Sequence, residues 1–281
     1  MWESEPTVDQ PIMIVALEGH FDAAQAATSA VEHLKRFGTA RRIARIDPEE
    51  FYDFTEQRPV VSFDSDGTRQ ISWPENDLYE IETADGQPDV ILLAGTEPHY
   101  RWKTFSDAVV EVAHRAGASL VVTIGAMVGL APHTRTLGVV GSATDLELGR
   151  RLGLSKPSYE GPTGLVGVLH DRLGRQSLPV ISLRVSVPHY VPQPPNPEAT
   201  RSLLSRLELV IGITTDHQSL EPAAAGWRDR IDQIVANDDE MASYVARLED
   251  HVDLVADELL PSGDDLASEL QAFLRDRGDS A

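Results

Sequence analysis

Residues 119–169 read SLVVTIGAMVGLAPHTRTLGVVGSATDLELGRRLGLSKPSYEGPTGLVGVL, and the reading of this stretch decides the fold. Apolar runs, glycines and polar turn residues alternate so closely that several buried elements must be joined by short loops. Two runs, SLVVTIG (119–125) and TLGVVG (136–141), are short, β-branched and apolar on both faces, the pattern of central strands covered on each side by helices. Thr144-Asp145-Leu146-Glu147 has capping-box spacing, so the strand around Val139 and Val140 is expected to pass directly into a helix ending near Gly153. Gly161-Pro162-Thr163-Gly164 then opens the helix LVGVLHDRLG, and PVISLRVSV follows as a further strand. A layered α/β domain results.

The segments before it fit the same scheme. Pro11 to Leu17 is an apolar strand, and Glu18 to Asp22 turns into an alanine-rich helix that runs to about Phe37, where Gly38 ends it. RRIARID (41–47) reads as a strand. Residues 51–73 carry aromatics, Pro59 and the turn signal Asp66-Gly67, which predicts an irregular or hairpin excursion. Leu78 to Thr83 reads as a short edge strand, Asp85-Gly86 as a turn and Asp89 to Gly95 as a central strand. The next helix is expected to begin near Thr104. Such alternation gives a mainly parallel sheet with right-handed crossovers.

His189 to Pro197 is too proline-rich for helix or central strand and reads as a loop leading out of the sheet. Beyond it the pattern is helical over 198–213, 221–260 and 264–277, so the division is an α/β domain over 1–197 and a C-terminal helical extension over 198–281. Within the middle segment Trp227, Ile231, Ile234, Met241, Val245, Leu248, Val252, Val255 and Leu259 recur at alternating spacings of four and three, with Asp238 as the polar break. Two readings stand: a long helix laid on the domain or folded into a hairpin, or a heptad seam through which subunits assemble.

Composition narrows the function classes. The chain has 281 residues, 41% of them hydrophobic, and a formal charge of −21. That charge argues against nucleic-acid backbones and anionic membranes, whose binding rests on cations. With no cysteine, disulfides, thiolate nucleophiles, zinc-thiolate sites and iron-sulfur clusters are excluded. The acidic start is unlike a signal peptide, and no apolar run approaches the ~20 residues of a membrane span. A cytoplasmic location is expected.

Ligands in open α/β sheets bind beyond the carboxyl ends of the parallel strands. Those ends here carry Glu18, His20 and Asp22, then Glu97 and His99, then His133, then His189. His20, Asp22, Glu97, His99 and His133 are therefore the candidates for general acid/base or metal chemistry, although neither His-x-Asp nor Glu-x-His is a specific metal motif. The glycines of 161–167 match neither dinucleotide nor P-loop patterns, and no G-x-S-x-G elbow occurs. Gly164 and Gly167 read as close-packing positions, Gly138 and Gly141 as brackets of a tightly covered strand, and Gly125 to Gly129 as a close-packed turn.

GAMVGLAPHTRTLGVVGSATD and EGPTGLVGVLHDRLGRQSLPVISLRVSVPHYVPQPPNPEATRSLLSRLELVIGI, with VALEGHFDAAQAA and LLAGTEPHYRW, resemble the PAC2 family, the proteasome assembly chaperones and their prokaryotic relatives. The resemblance covers about Pro11 to Ile213, and the helical tail is similar to that of actinobacterial members. It implies a three-layer α/β/α fold of phosphorylase/hydrolase-like type, homo-oligomers (a trimer among them) or pairing with related chains, and proteasome-related subunits as partners. It implies protein binding rather than turnover, with no catalytic residues or cofactor to carry across. Archaeal and eukaryotic members engage the proteasome through a tail ending in a hydrophobic residue, tyrosine and one more residue; here the end is Arg277-Gly278-Asp279-Ser280-Ala281, which departs from that pattern. The competing expectation is a small-molecule hydrolase or nucleoside-phosphorylase-like enzyme using the strand-end rim.

Overall fold

The structure, a computed structural model, describes residues 2–259 apart from 38 and 85. The expectations for Gly38, for the Asp85 turn and for a helix over 264–277 lie outside the described residues, as do those for the Val255 and Leu259 side chains. The chain begins with β1 (Ile12–Glu18), α1 (Ala26–Phe37) and β2 (Thr39–Ile46), followed by the hairpin strands β3 (Val60–Phe63) and β4 (Arg69–Ser72). Next come β5 (Asn76–Glu82), β6 (Val90–Thr96), α2 (Trp102–Arg115), β7 (Leu120–Gly129), β8 (Val139–Ala143) and α3 (Leu146–Arg151). The chain continues through α4 (Leu165–Arg175), β9 (Val180–Pro188), α5 (Pro197–Ile211), α6 (Glu221–Val235) and α7 (Asp239–Leu259). Among the described residues no helix is long and apolar enough to cross a membrane.

Seven strands form one sheet in the order β2-β5-β6-β1-β7-β9-β8. The four in the middle, β6, β1, β7 and β9, run parallel, while β2, β5 and β8 pair antiparallel at the margins. Alternate side chains of β1 serve opposite layers. Ile12, Ile14 and Ala16 pack with α1 and α5, whereas Met13, Val15 and Leu17 pack with α2 and α4. This two-sided burial is why the parallel strands read as unbroken apolar runs.

The margins differ from the sequence reading. TLGVVG is not a central strand: β8 is an edge strand, and Val140 is 59% exposed. Its outer side is partly closed by Ser155, whose N–H donates to Gly141 O at 3.0 Å and whose carbonyl accepts from Ala143 N at 3.0 Å. Conversely β5 lies inside the sheet, because β2 takes the edge. Gly125 to Gly129 is not a turn but the continuation of β7, and Gly125 gives the Phe21 carbonyl room to accept from Ala126 N at 2.7 Å. A Cβ at Gly167 would collide with the side chain of Thr163, which directly precedes the N-cap of its own helix, and one at Gly164 would press on Phe21 at 3.2 Å. Helix α2 begins at Trp102 rather than Thr104, and α3 is capped by Asp145, which accepts from Leu148 N at 2.7 Å, one residue later than the Thr144 box predicts.

Beyond residue 197 the chain returns to the sheet. Helix α5 buries Ala199, Leu203, Leu204 and Leu207 in the core beside α1 and β9. The proline-rich loop is thus a crossover within the α/β unit, not an exit from it. The heptad pattern likewise does not make one long helix: α6 stops at Val235 and α7 restarts at Asp239. Asp238 caps the restart, its carboxylate accepting from Glu240 N and Met241 N at 3.0 Å each. Trp227, Ile231, Val245 and Leu248 are buried within the single chain, Met241 and Val252 are half-buried, and Ile234 is exposed.

Polar contacts fasten these helices. Buried Glu198 pairs with Arg201 at 2.7 Å and with Arg228 of α6, and Glu221 pairs with both arginines. On the β7–β8 loop, fully buried His133 donates its backbone N–H to Tyr190 Oη at 2.8 Å. That oxygen stands 2.6 Å from His133 Nδ1, so it returns its own proton there, and Nε2–H is left to donate to Asp232 of α6 at 3.0 Å. Burial pushes the Tyr190 phenol up to about 12, so it keeps that proton. Beside it, His189 meets Tyr244 of α7 at 2.9 Å, and Arg135 meets Asp253 at 2.8 Å.

Two predictions follow from these buried groups. Tyr190→Phe strands the His133 N–H and should lower stability by about 1–3 kcal/mol, read as a shift in the urea midpoint at constant slope. His170 of α4 lies 2.8 Å from Thr123 of β7, and burial, with the Arg184 charge, pushes its imidazole down from 6.5 to about 4. Its contribution is fully present above pH 6.5 and is lost as pH falls toward 4, about 3 kcal/mol in total. Unfolding at about pH 7 and about pH 4.5 should show His170→Gln losing less on acidification than the parent chain.

Candidate functional site

Strands β1 and β6 are parallel neighbours in a register that sets Glu18 beside Thr96 at their carboxyl ends. The loops that follow them diverge, one into α1 and the other into α2, and leave a cavity of 620 Å³ between them. Glu18, His20, Gln25, Gln57, Glu97 and His99 line it, with Trp102 and Pro194 in the walls.

The Glu97 carboxylate is held by the backbone of the opposite loop. Its Oε2 accepts from His20 N at 3.2 Å, and its own N–H donates to Glu18 O at 2.8 Å. Gly19 makes this possible: at φ +154° it adopts a backbone that side chains rarely take, and a Cβ there would stand 2.7 Å from Glu97 Oε2. Gln25 Nε2 donates to Glu18 Oε1 at 3.0 Å. His99 Nδ1 accepts from Asp53 N at 3.0 Å, which leaves Nε2 as the protonated nitrogen of the neutral ring.

The cavity therefore gathers His20, Glu97 and His99 among its lining. Asp22 also borders it but is already engaged. Its Oδ1 accepts from Ala27 N at 2.7 Å and Thr28 N at 3.3 Å, and its Oδ2 accepts from the Thr28 hydroxyl, so it caps α1. Burial raises its pKa. His133 is not in this group; it belongs to the contact with Tyr190 and Asp232. Among the described residues no three His, Asp or Glu side chains are grouped to hold a metal ion. Sequence reasoning missed Gln25 and Trp102, in a short 3-10 turn and at the first position of α2, and Gln57 and Pro194 in loops, because none of them carries a local signal of convergence.

A second feature is the β3–β4 hairpin, which stands off the body with all eight strand residues exposed. Val61 pairs with Ile71 and Phe63 with Arg69, so alternation sets Val61, Phe63 and Ile71 on one face, with Arg69 beside Phe63. Phe63 is 69% exposed, and Trp73, two residues beyond Ile71, stacks edge-on against Phe54 at 4.9 Å while keeping 44% of its surface open. An isolated two-stranded hairpin is marginal in water, and this one turns an apolar stripe outward.

Solved structures share this architecture. A PAC2 family protein from Streptomyces avermitilis is 42% identical, with a TM-score of 0.78 over 84% of this chain and 99% of that one. A proteasome-assembly chaperone homologue from Mycobacterium tuberculosis is 37% identical, with a TM-score of 0.76 over 83% of this chain and 99% of that one. PbaB, an archaeal proteasome activator from Pyrococcus furiosus, shares the fold at 16% identity and a TM-score of 0.65, covering 83% of this chain and 97% of that one. No curated protein matches. The family model described as "PAC2 family" matches residues 16–235, and with the α/β/α layers and the relatives above it makes this chain a member of the PAC2 family.

Proposed function

We propose that this chain is a non-enzymatic, oligomeric protein that acts by binding other proteins, in the manner of a proteasome assembly chaperone. The observation that carries the reading is the outward apolar stripe of the hairpin. Contiguous exposed apolar surface of this kind marks interaction sites, and Phe63 and Trp73 are the residue types that anchor interfaces. The partners on this reading are further copies of the chain and proteasome-related subunits, by analogy with the mycobacterial chaperone homologue. The cytoplasm is the compartment. The heptad residues Trp227, Ile231, Val245 and Leu248 are occupied within one chain, so the assembly surface moves from that seam to the hairpin.

A small-molecule hydrolase or nucleoside-phosphorylase-like activity is the second reading, favoured by the cavity that gathers His20, Glu97 and His99. Size-exclusion chromatography with light scattering separates the two. The parent chain should elute as an oligomer and Phe63→Asp as a monomer, with stability within about 0.5 kcal/mol of the parent because the site is on the surface. A monomeric parent chain that turns over a nucleoside or ester would overturn the protein-binding reading.

A further inference from the structure

Arg184 of β9 is half-buried, its Nε is inaccessible to solvent, and among the described residues it makes no hydrogen bond and no ion pair. A guanidinium cannot shed its proton to escape this, and a buried donor without an acceptor is costly. The sheet around it forms a shelf. The register sets Gly125 of β7, Arg184 and Val140 of β8 in one row across three strands, with Ser182 and Ser186 to either side of Arg184 on the same face and Ser142 opposite Ser182. Thr123 meets His170 of α4 on this face, but no helix covers its outer part: Val140 is 59% exposed, and Met127, beside Ser186, is 41% exposed. Helix α3 packs through Leu148 and Leu152 on the opposite face. Gly125 leaves room for the arginine, whose Cγ lies 3.8 Å from where a Cβ there would stand. The hydroxyls of Ser142, Ser182 and Ser186 also make no hydrogen bond among the described residues. One fixed positive charge and three hydroxyls thus share a face with no described carboxylate paired to them, in a chain of charge −21.

We infer that this shelf binds an acidic side chain of a partner polypeptide, its carboxylate held by Arg184 and the serine hydroxyls and its neighbouring residues lying against Val140 and Met127. A guanidinium takes a carboxylate through two parallel charge-assisted hydrogen bonds. One positive charge matches one carboxylate, whereas the acidic surroundings repel a phosphate dianion or a polyanion. The shelf is open and edged by apolar side chains, which suits a length of polypeptide; small molecules are held in concave cavities. The inference takes its ligand class from the protein-binding reading and places it on a surface separate from the hairpin.

Calorimetric titration of the full chain with acetyl-Val-Glu-Leu-amide, its neutral counterpart acetyl-Val-Gln-Leu-amide, butyrate and inorganic phosphate tests it. The glutamate peptide should bind saturably at one site, about tenfold more tightly than the glutamine peptide, the worth of one charge-assisted contact. Arg184→Met, which keeps an apolar stem, should bind the two peptides alike. Without peptide, its urea midpoint should equal or exceed that of the parent, because it removes an unpaired buried charge; a lowered midpoint would make Arg184 a structural residue and overturn the inference. Val140→Asp, an exposed substitution opposite Arg184, should supply a competing carboxylate and weaken the glutamate peptide about tenfold. Failure to saturate, equal binding of the two peptides by the parent, a preference retained in Arg184→Met, or butyrate or phosphate binding as tightly as the peptide would each overturn it. Phe63→Asp should bind the peptide like the parent, which keeps this result separable from the fate of the hairpin.

Discussion

Everything in the molecule depends on the parallel pairing of β1 with β6 on one side and β7 on the other. Parallel neighbours cannot be joined by a tight turn, so each connection must cross a face of the sheet with a helix. Both faces of β1 are thereby buried, and Met13, Ile14, Val15 and Ala16 are almost wholly inaccessible. The same geometry sends the loops after β1 and β6 out at one end, where their divergence opens the cavity. The site is a by-product of the topology before it is a property of any side chain.

The parallel core was legible in the sequence because both-face burial leaves an unbroken apolar run, as in DVILLAG and SLVVTIG. The margins were not. Val139 and Val140 look the same in sequence whether one helix layer or two covers them, and only the partner strand decides; β8 has β9 alone. The heptad spacing of Trp227 to Leu248 was legible as burial but not as continuity, because Asp238 serves as a cap for α7 and interrupts the helix without disturbing the period. At the site, Glu97 and His99 could be found from their place after a strand. Gln57 and Pro194 could not, since their approach is set by the paths of distant loops.

The charge of −21 has a similar division of roles. Buried acids are each answered locally: Asp77 by Arg42 and Arg45, Glu80 by Arg41 and Thr7, Glu198 by Arg201 and Arg228. Even the first residues take part, Glu3 pairing with Arg42 and Glu5 with Arg115, which also stacks over Trp2 at 4.3 Å. The arginines are thus largely committed to internal pairs, and the surplus acid is left on the surface, where it repels anionic polymers at long range.

The family match ends at Val235, which is also the last residue of α6. Helix α7 lies beyond it and is joined to the body through Val245 and Leu248 and through side chains reaching Thr134, Arg135 and His189. The polar attachments of α7 reach Thr134, Arg135 and His189, in the loops after β7 and β9 rather than in the strands, so the last helix is pinned to the end of the sheet at which those two strands finish.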